Sequence, residues 1–149
     1  MENKHTLWIA GCNYRQKELV PLLYDESDDY KMSKKELLEW FDEDDRIYQY
    51  EKEYYDLHIQ AEPDNPYDPQ AVKVFADDTF IGYVPRGRFE ELIKMASIPG
   101  VKASVEVYGG KYKYLEYDAE EDFLGTMDSK YYHIRTETDP VNAVMVFEW

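Results

Sequence analysis

One stretch of the sequence, EPDNPYDPQAVKVF at residues 62–75, constrains the fold more than any other. It begins with a polar turn from Asn65 to Pro69 and continues directly into the apolar alternation of residues 71–75. Alternation with a period of two is typical of a half-buried strand, because successive side chains point to opposite faces. Asp77-Asp78 forms a second turn, and residues 79–84 predict a returning strand. The stretch therefore predicts a β-hairpin.

Short alternating runs recur along most of the chain. They predict further strands at residues 7–11, 46–50, 54–61, 101–107 with an extension over 111–117, 131–136 and 143–148. Asp139-Pro140 is expected to separate the last two strands, and residues 24–32 to form a solvated loop. Two short helices are predicted, one after a capping box of Ser33 and Glu36 and one over residues 89–96. We therefore expect a mainly β fold with two short helices, built as a small antiparallel β-barrel.

The charge of the chain is strongly negative but unevenly distributed. The formal net charge is −15 over 149 residues, a length that suits one domain. Residues 25–56 carry 13 acidic and 5 basic side chains, whereas residues 63–106 carry 7 and 5. A net charge of this sign opposes broad electrostatic attraction to nucleic acid, although the central segment is nearly balanced.

The remaining composition excludes several classes of site. A single cysteine, Cys12, rules out an internal disulfide and is expected to be buried. No apolar run is long enough for a membrane span or a signal peptide, so we expect a cytoplasmic protein. The three histidines are far apart in sequence, the acidic runs lack the glycine and final glutamate of an EF-hand, and no nucleophile or nucleotide-binding motif is present. We expect no metal, no cofactor and no enzymatic activity.

The hairpin carries a longer spaced pattern that resembles the HIRAN domain family. The matching residues are Glu62, Pro63, Asn65, Asp68, Ala71, Val72, Val74, Ile81, Gly82, Tyr83 and Pro85. The first strand, LWIAGCNY, is also similar to the opening strand of the family. We expect one HIRAN-like domain over residues 1–149, which departs from the family pattern in an acidic helical insertion at about 14–53 and an extended strand region at about 109–149.

The resemblance implies an SH3-like or OB-like β-barrel with one or two flanking helices. In some family members the domain is fused to a helicase-type motor and holds the 3′ end of single-stranded DNA. The turn could supply this chemistry. Asp68 could accept a hydrogen bond from a free 3′-hydroxyl and repel a terminal phosphate, while Tyr67 and Tyr14 could stack on the last bases. Asn65 could order the turn or reach a base edge.

Two further members of the predicted nucleic-acid site follow from the hairpin. Tyr83 belongs to the family pattern, and Arg86, together with Arg88, could hold a phosphate. The resemblance supports Arg86, because DNA-binding members are basic at that position. At the position of Asn13 those members are also basic, and asparagine cannot supply this charge.

Each of these residues also has a purely structural interpretation. Asp68 could cap the turn, Tyr67 and Tyr14 could be packing rings, and Asn65 could be a turn former only. Arg86 could pair with Glu90 or Glu91 on the following helix. Gly82 is expected to allow a close backbone approach.

Two functions remain in competition at this stage. The first is a non-enzymatic nucleic-acid-binding module that recognises the 3′-hydroxyl end of single-stranded DNA. The second is an acidic protein-interaction module, or a DNA mimic, that keeps the barrel without DNA binding. In that case the insertion would present apolar residues to a protein partner: Leu37, Leu38, Trp40 and Phe41. The structural alternative is that this helix covers one open end of the barrel.

Overall fold

The computed structural model describes residues 2–149 and divides into two compact units. The first unit contains the chain up to Leu23, together with Lys52–Tyr108 and Pro140–Trp149. The second contains Tyr24–Glu51 and Gly109–Asp139. None of the helices in the described part of the chain is long and apolar enough to cross a membrane.

The protein is mainly antiparallel β-structure with few short helices, as the sequence predicts. The described strands are β1 Lys4–Trp8, β2 Ile47–Tyr48, β3 Glu53–Ala61, β4 Val72–Ala76, β5 Thr79–Tyr83, β6 Lys102–Tyr117 and β7 Tyr132–Glu148. The α-helices are α1 Gln16–Leu19, α2 Lys34–Trp40 and α3 Phe89–Ala96, and short 3-10 turns flank α1 and precede α2 and β7. Of these helices, α1 was not predicted.

The first unit is built on a sheet with the strand order β1-β7-β6-β3-β4-β5. The predicted hairpin is confirmed, since β4 and β5 pair antiparallel around a turn in which Asp77 has a positive φ of 50°. The sheet curls as a half-barrel, and Ala10, just after β1, bridges Tyr83 at the end of β5. Both backbone hydrogen bonds of this bridge form, at 2.8 and 2.9 Å.

Gly82 makes that bridge possible. A Cβ at this position would lie 2.5 Å from the carbonyl oxygen of Ala10 and 2.7 Å from Cγ2 of Ile9, which is far inside contact distance. The expected close backbone approach is therefore confirmed. The apolar side chains beneath it form the core of this unit and are almost fully buried: Leu7, Ile9, Val74, Ile81, Val105, Val107 and Phe147. Cys12 is buried as expected.

The second unit packs the predicted capped helix against short strand pairings. Ser33 and Glu36 form both bonds of the capping box at the start of α2, which confirms that prediction. From this helix Leu37 is fully buried and forms a cluster with Ile47 and Leu115. Leu38 and Phe41 pack against the same cluster, so only Trp40, which is 73% exposed, projects from the apolar side of α2 into solvent.

Two predictions about loops need correction. Asp139-Pro140 does not separate two strands, because β7 runs unbroken from Tyr132 to Glu148. Proline has a φ that an extended strand tolerates and loses only one backbone donor. Residues 24–32 are not simply a solvated loop: they contain a 3-10 turn, Asp29–Lys31, and Tyr30 packs against the cluster around Leu37. Tyrosine in an acidic segment still contributes apolar area to a core.

Candidate nucleic-acid interface

The turn between β3 and β4 is ordered by the side chain of Asn65. Its Oδ1 accepts the backbone N–H groups of Tyr67 at 2.9 Å and Asp68 at 3.0 Å. An asparagine carbonyl that takes consecutive amides fixes a turn without help from the rest of the chain. The structural interpretation of Asn65 as a turn former is therefore confirmed, and its amide nitrogen faces inward, to Glu62.

Glu62 links this turn to the hairpin through contacts with Asn65, Tyr83 and Lys73. Its Oε1 accepts hydrogen bonds from Nδ2 of Asn65 and from the hydroxyl of Tyr83 at 3.0 Å, while Oε2 lies 2.8 Å from Nζ of Lys73. The bond from Lys73, followed by that from Asn65, lowers the pKa of Glu62. Glu62 therefore stays ionised and holds residues from the turn, β4 and β5 together.

Tyr83, the last residue of β5, donates its hydroxyl hydrogen to Glu62. Burial raises the pKa of its hydroxyl, and the bond to Glu62 raises it further. Its ring packs edge-on against Phe80, with centroids 5.3 Å apart. Tyr83 lines the site, but its hydroxyl group donates to Glu62. It therefore supports the turn and does not donate to a ligand.

Asp68 and Arg86 form the charged part of the site. Oδ1 of Asp68 accepts the N–H of Gln70 at 2.9 Å, which confirms the predicted turn cap, and Oδ2 lies 3.4 Å from Nε of Arg86. Arg86 also donates to the carbonyl of Tyr67 at 3.4 Å. The alternative pairing of Arg86 with the next helix is wrong; it is Arg88 that bonds Glu91, at 3.1 Å. Arg86 therefore contacts Asp68 and Tyr67 of the turn, and not the acidic residues of the following helix.

These groups border an open hollow in the first unit. It has a volume of about 850 Å³ and is lined by polar groups of Tyr67, Asp68 and Arg86 and by apolar side chains that include Val72 and Phe89. A second hollow of about 500 Å³ shares Tyr67, Asp68 and Arg86 and extends to Asn65, Tyr83 and Ala10. One carboxylate and one guanidinium thus face a space large enough for a nucleotide-sized ligand.

The two tyrosines predicted to stack on bases are both exposed. The ring of Tyr67 is 87% exposed at the edge of the larger hollow, and Tyr14 is 91% exposed. Neither is a packing ring, so that alternative is wrong for both. Tyr14 lies in the 3-10 turn Cys12–Arg15, shortly after Ala10, and lines neither hollow. Tyr67 is therefore placed directly at the site, and Tyr14 is one turn removed from it.

Sequence patterns did not identify Glu62 and Lys73, which hold the turn in place, or Phe89, which lines the larger hollow. The family pattern assigns no role to Glu62, and the alternation of residues 71–75 assigns none to Lys73. Their sequence separation gave no signal, because the 2.8 Å contact depends on the pairing of β3 with β4. Phe89 was assigned to the helix, yet it is 45% exposed and lines the larger hollow. Its position just after the hairpin was the available clue.

Comparison with protein-family models matched residues 38–132 to the HIRAN domain. The match includes the turn, the hairpin and α3, and therefore Glu62, Asp68 and Arg86; Tyr14 lies outside it. Searches of curated proteins and of solved structures found no match.

Proposed function

Because this chain belongs to the HIRAN domain family, whose domain is a nucleic-acid-binding module, we propose that it binds the 3′ end of single-stranded DNA at the hollow beside Asp68. The observation that carries this proposal is the convergence of Tyr67, Asp68 and Arg86 on one open space. An exposed ring, a carboxylate and a guanidinium are the three groups that a base, a free hydroxyl and a phosphate require.

Asp68 would recognise the terminal sugar. Its Oδ1 already accepts one backbone amide, while Oδ2 is held only by a long 3.4 Å contact with Arg86. A carboxylate has about four acceptor positions, so it can take the hydroxyl proton without giving up the turn. A 3′-phosphate at the same place would bring two anions together and be rejected.

Tyr67 would stack on the terminal base, and Arg86 would contact the adjacent phosphate. Stacking is tolerant of sequence because every base offers a π-face. The side chain of Arg86 is 79% exposed, and its guanidinium can turn from Asp68 to a phosphate at little cost, since exposed ion pairs contribute little to stability. Tyr14 would stack on a neighbouring base if the strand extends beyond the hollow.

The acidity of the chain does not exclude this site. Most of the surplus negative charge lies in residues 25–56, outside the turn and hairpin that build the hollow. The expected consequence is binding that depends on stacking and on the hydroxyl contact more than on salt-sensitive attraction. We propose a binding role only, because no residue around the hollow forms a nucleophile–base pair.

The experiment is a fluorescence anisotropy titration with two single-stranded oligonucleotides that differ only in a 3′-hydroxyl or a 3′-phosphate. The protein should prefer the hydroxyl form by about tenfold or more, as expected for one charge-assisted contact. Asp68→Asn and Asp68→Ala should both lose this preference. Asp64→Ala, which removes an acid from the same turn outside the larger hollow, should retain it. Equal binding of both oligonucleotides by the unaltered protein would overturn the proposal.

A second candidate function is protein interaction through the acidic insertion. Trp40 favours it, because this tryptophan is 73% exposed on a helix whose other apolar side chains pack into a core. Trp40→Ala should then leave the fold intact and abolish retention of a defined partner in affinity purification. If no partner is lost with Trp40→Ala, this candidate is wrong.

A further inference from the structure

Three side chains of the second unit that could bind a metal ion converge on one point. They are Asp118, Glu121 and His133, and their potential ligand atoms all lie within 4.8 Å of one another. Asp118 and His133 are half-buried and Glu121 is exposed. None of the three belongs to the hairpin pattern, the hollow or the proposed DNA contacts.

The backbone places these residues independently of any ion. Asp118 directly follows β6, and its N–H donates to the carbonyl of Tyr131 at 2.8 Å, which ties the end of β6 to the start of β7. His133 is the second residue of β7. Oδ1 of Asp118 accepts the N–H groups of Glu120 at 3.1 Å and Glu121 at 3.0 Å, so Oδ2 remains available for a further contact.

The spacing of His133 and Glu121 suits direct coordination, and Asp118 would complete the set by a small movement, since all three ligand atoms lie within 4.8 Å. Nε2 of His133 lies 3.0 Å from Oε2 of Glu121. Metal–nitrogen and metal–oxygen bonds of about 2.1 Å place neighbouring ligands about 3.0–3.4 Å apart in octahedral or tetrahedral shells. A hydrogen bond has the same separation, so a metal ion would take the place of the proton between Nε2 of His133 and Oε2 of Glu121 with little movement of either side chain.

The surrounding charge favours a cation. Residues 114–129 contain six acidic side chains and neither lysine nor arginine. The basic residues nearest to His133 in sequence are engaged elsewhere: Arg135 bonds Glu116 at 3.3 Å, and Lys130 lies over the ring of Tyr131. The cluster therefore has a concentrated negative potential with no competing protein cation at its centre.

We propose that Asp118, Glu121 and His133 form a binding site for a divalent transition-metal ion of the Zn²⁺ class. One imidazole nitrogen and two carboxylate oxygens are a ligand set that Zn²⁺ accepts and that Mg²⁺ and Ca²⁺, which prefer oxygen alone, do not. Water completes the shell, because Glu121 is exposed. The bound ion joins the end of β6, the 118–122 turn and the start of β7, and so stiffens the loop that carries Phe123 and Leu124.

The test is calorimetric titration of the untagged full chain with ZnCl₂ and, separately, with CaCl₂. We expect one Zn²⁺ site and much weaker Ca²⁺ binding. His133→Gln and Glu121→Gln should each weaken Zn²⁺ binding by about tenfold or more, since each removes a direct ligand. Asp118→Asn should do the same while its remaining oxygen still caps the turn. Circular dichroism of each variant checks that the fold is retained.

Two matched controls separate coordination from general charge. Glu120→Gln changes the net charge as Glu121→Gln does, but its side chain lies outside the cluster. His58→Gln removes an exposed histidine from β3. Both controls should bind Zn²⁺ as the unaltered protein does. Equal weakening by Glu120→Gln and Glu121→Gln, or Zn²⁺ binding that survives His133→Gln, would overturn the proposed site.

Discussion

Two loops of this protein each combine an aspartate with an exposed aromatic ring, yet they use the aspartate differently. In the first unit, Asp68 is half-buried, accepts one backbone amide and meets Arg86 at 3.4 Å. In the second, Asp122 is 3% exposed and its two oxygens accept bonds from Tyr117, Thr126 and Met127, the shortest at 2.5 Å. The neighbouring rings, Tyr67 and Phe123, are 87% and 84% exposed.

The difference lies in how many acceptor positions remain. Asp122 has four donors, and these bonds lower its pKa even though burial acts to raise it. The same contact raises the pKa of Tyr117 to about 12. The acceptor positions of Asp122 are therefore all used within its own loop, and none remains for a ligand. Asp68 still has unused acceptor positions and faces an open hollow. Exposure of a nearby ring does not by itself distinguish a binding turn from a structural one.

The largest expected difference between the loops is in ligand binding. Tyr67→Ala should weaken binding of a 3′-hydroxyl oligonucleotide by about 10- to 100-fold, the usual cost of losing one base–aromatic stack. Phe123→Ala, which removes an equally exposed ring from the other loop, should leave the affinity unchanged. Anisotropy titrations measure both. A similar loss in the two variants would mean that the oligonucleotide binds exposed rings without regard to Asp68.

For thermal stability the order of the two loops is reversed, and we expect Asp122 to matter more than Asp68. Asp122→Asn keeps the size of the side chain but removes one acceptor, so about half of its donors lose a partner in a buried place. We expect the melting temperature to fall by about 5 °C or more, measured by differential scanning calorimetry. Asp68→Asn should lower it by no more than about 2 °C, since the hydrogen bond from Gln70 is exposed to solvent and the contact with Arg86 is long at 3.4 Å.

The control for this comparison is Asp128→Asn. Asp128 is an exposed acid of the same loop whose side chain makes no capping hydrogen bond. Its variant should melt with the unaltered protein. If Asp128→Asn lowers the melting temperature as much as Asp122→Asn, the loop depends on its charge and not on the buried bonds.

A smaller effect is expected from the cation of the binding turn. Arg86→Gln should weaken oligonucleotide binding by about three- to tenfold and reduce the slope of its salt dependence by about one, as loss of one phosphate contact predicts. Arg88→Gln is the matched control, because Arg88 is bonded to Glu91 and does not line the hollow. Titrations at several salt concentrations measure both slopes. Equal slopes for the two variants would remove Arg86 from the site.

The sequence predicts the parts of both regions that depend on local chemistry. The hairpin, the capping box of Ser33 and Glu36, and the turn ordered by Asn65 each need only a few consecutive residues, and the structure confirms all three. Helix α3 begins at Phe89 and ends at Ala96, as the apolar spacing indicates. Family resemblance added Asp68 and Arg86, which lie 3.4 Å apart in the structure. The turn cap predicted for Asp68 is also confirmed, whereas the alternative pairing of Arg86 with Glu90 or Glu91 is wrong.

Contacts between distant segments were not predictable from local patterns. Ile47 pairs with Lys113 in the second unit, so the acidic insertion and the C-terminal strand region fold together, and no periodicity in either segment encodes that pairing. The sequence places no metal ligand at a recognisable spacing from His133, yet the turn after β6 brings it to Glu121. Sequence alone likewise does not show that four donors surround Asp122.

The smallest expected effect is the pH dependence of the stability that Asp122 contributes to its loop. The pKa of Asp122 is lower in the folded protein than the value of about 3.9 expected when unfolded, so its stabilising contribution is complete above that value. It is lost as the pH falls through the folded pKa, because the carboxyl group then takes up a proton. The melting temperatures of the unaltered protein and Asp122→Asn should therefore differ by a constant amount above about pH 5 and converge below about pH 4. Calorimetric scans across this range measure the difference. A gap that persists or widens in acid would show that the ionised carboxylate is not what holds the loop.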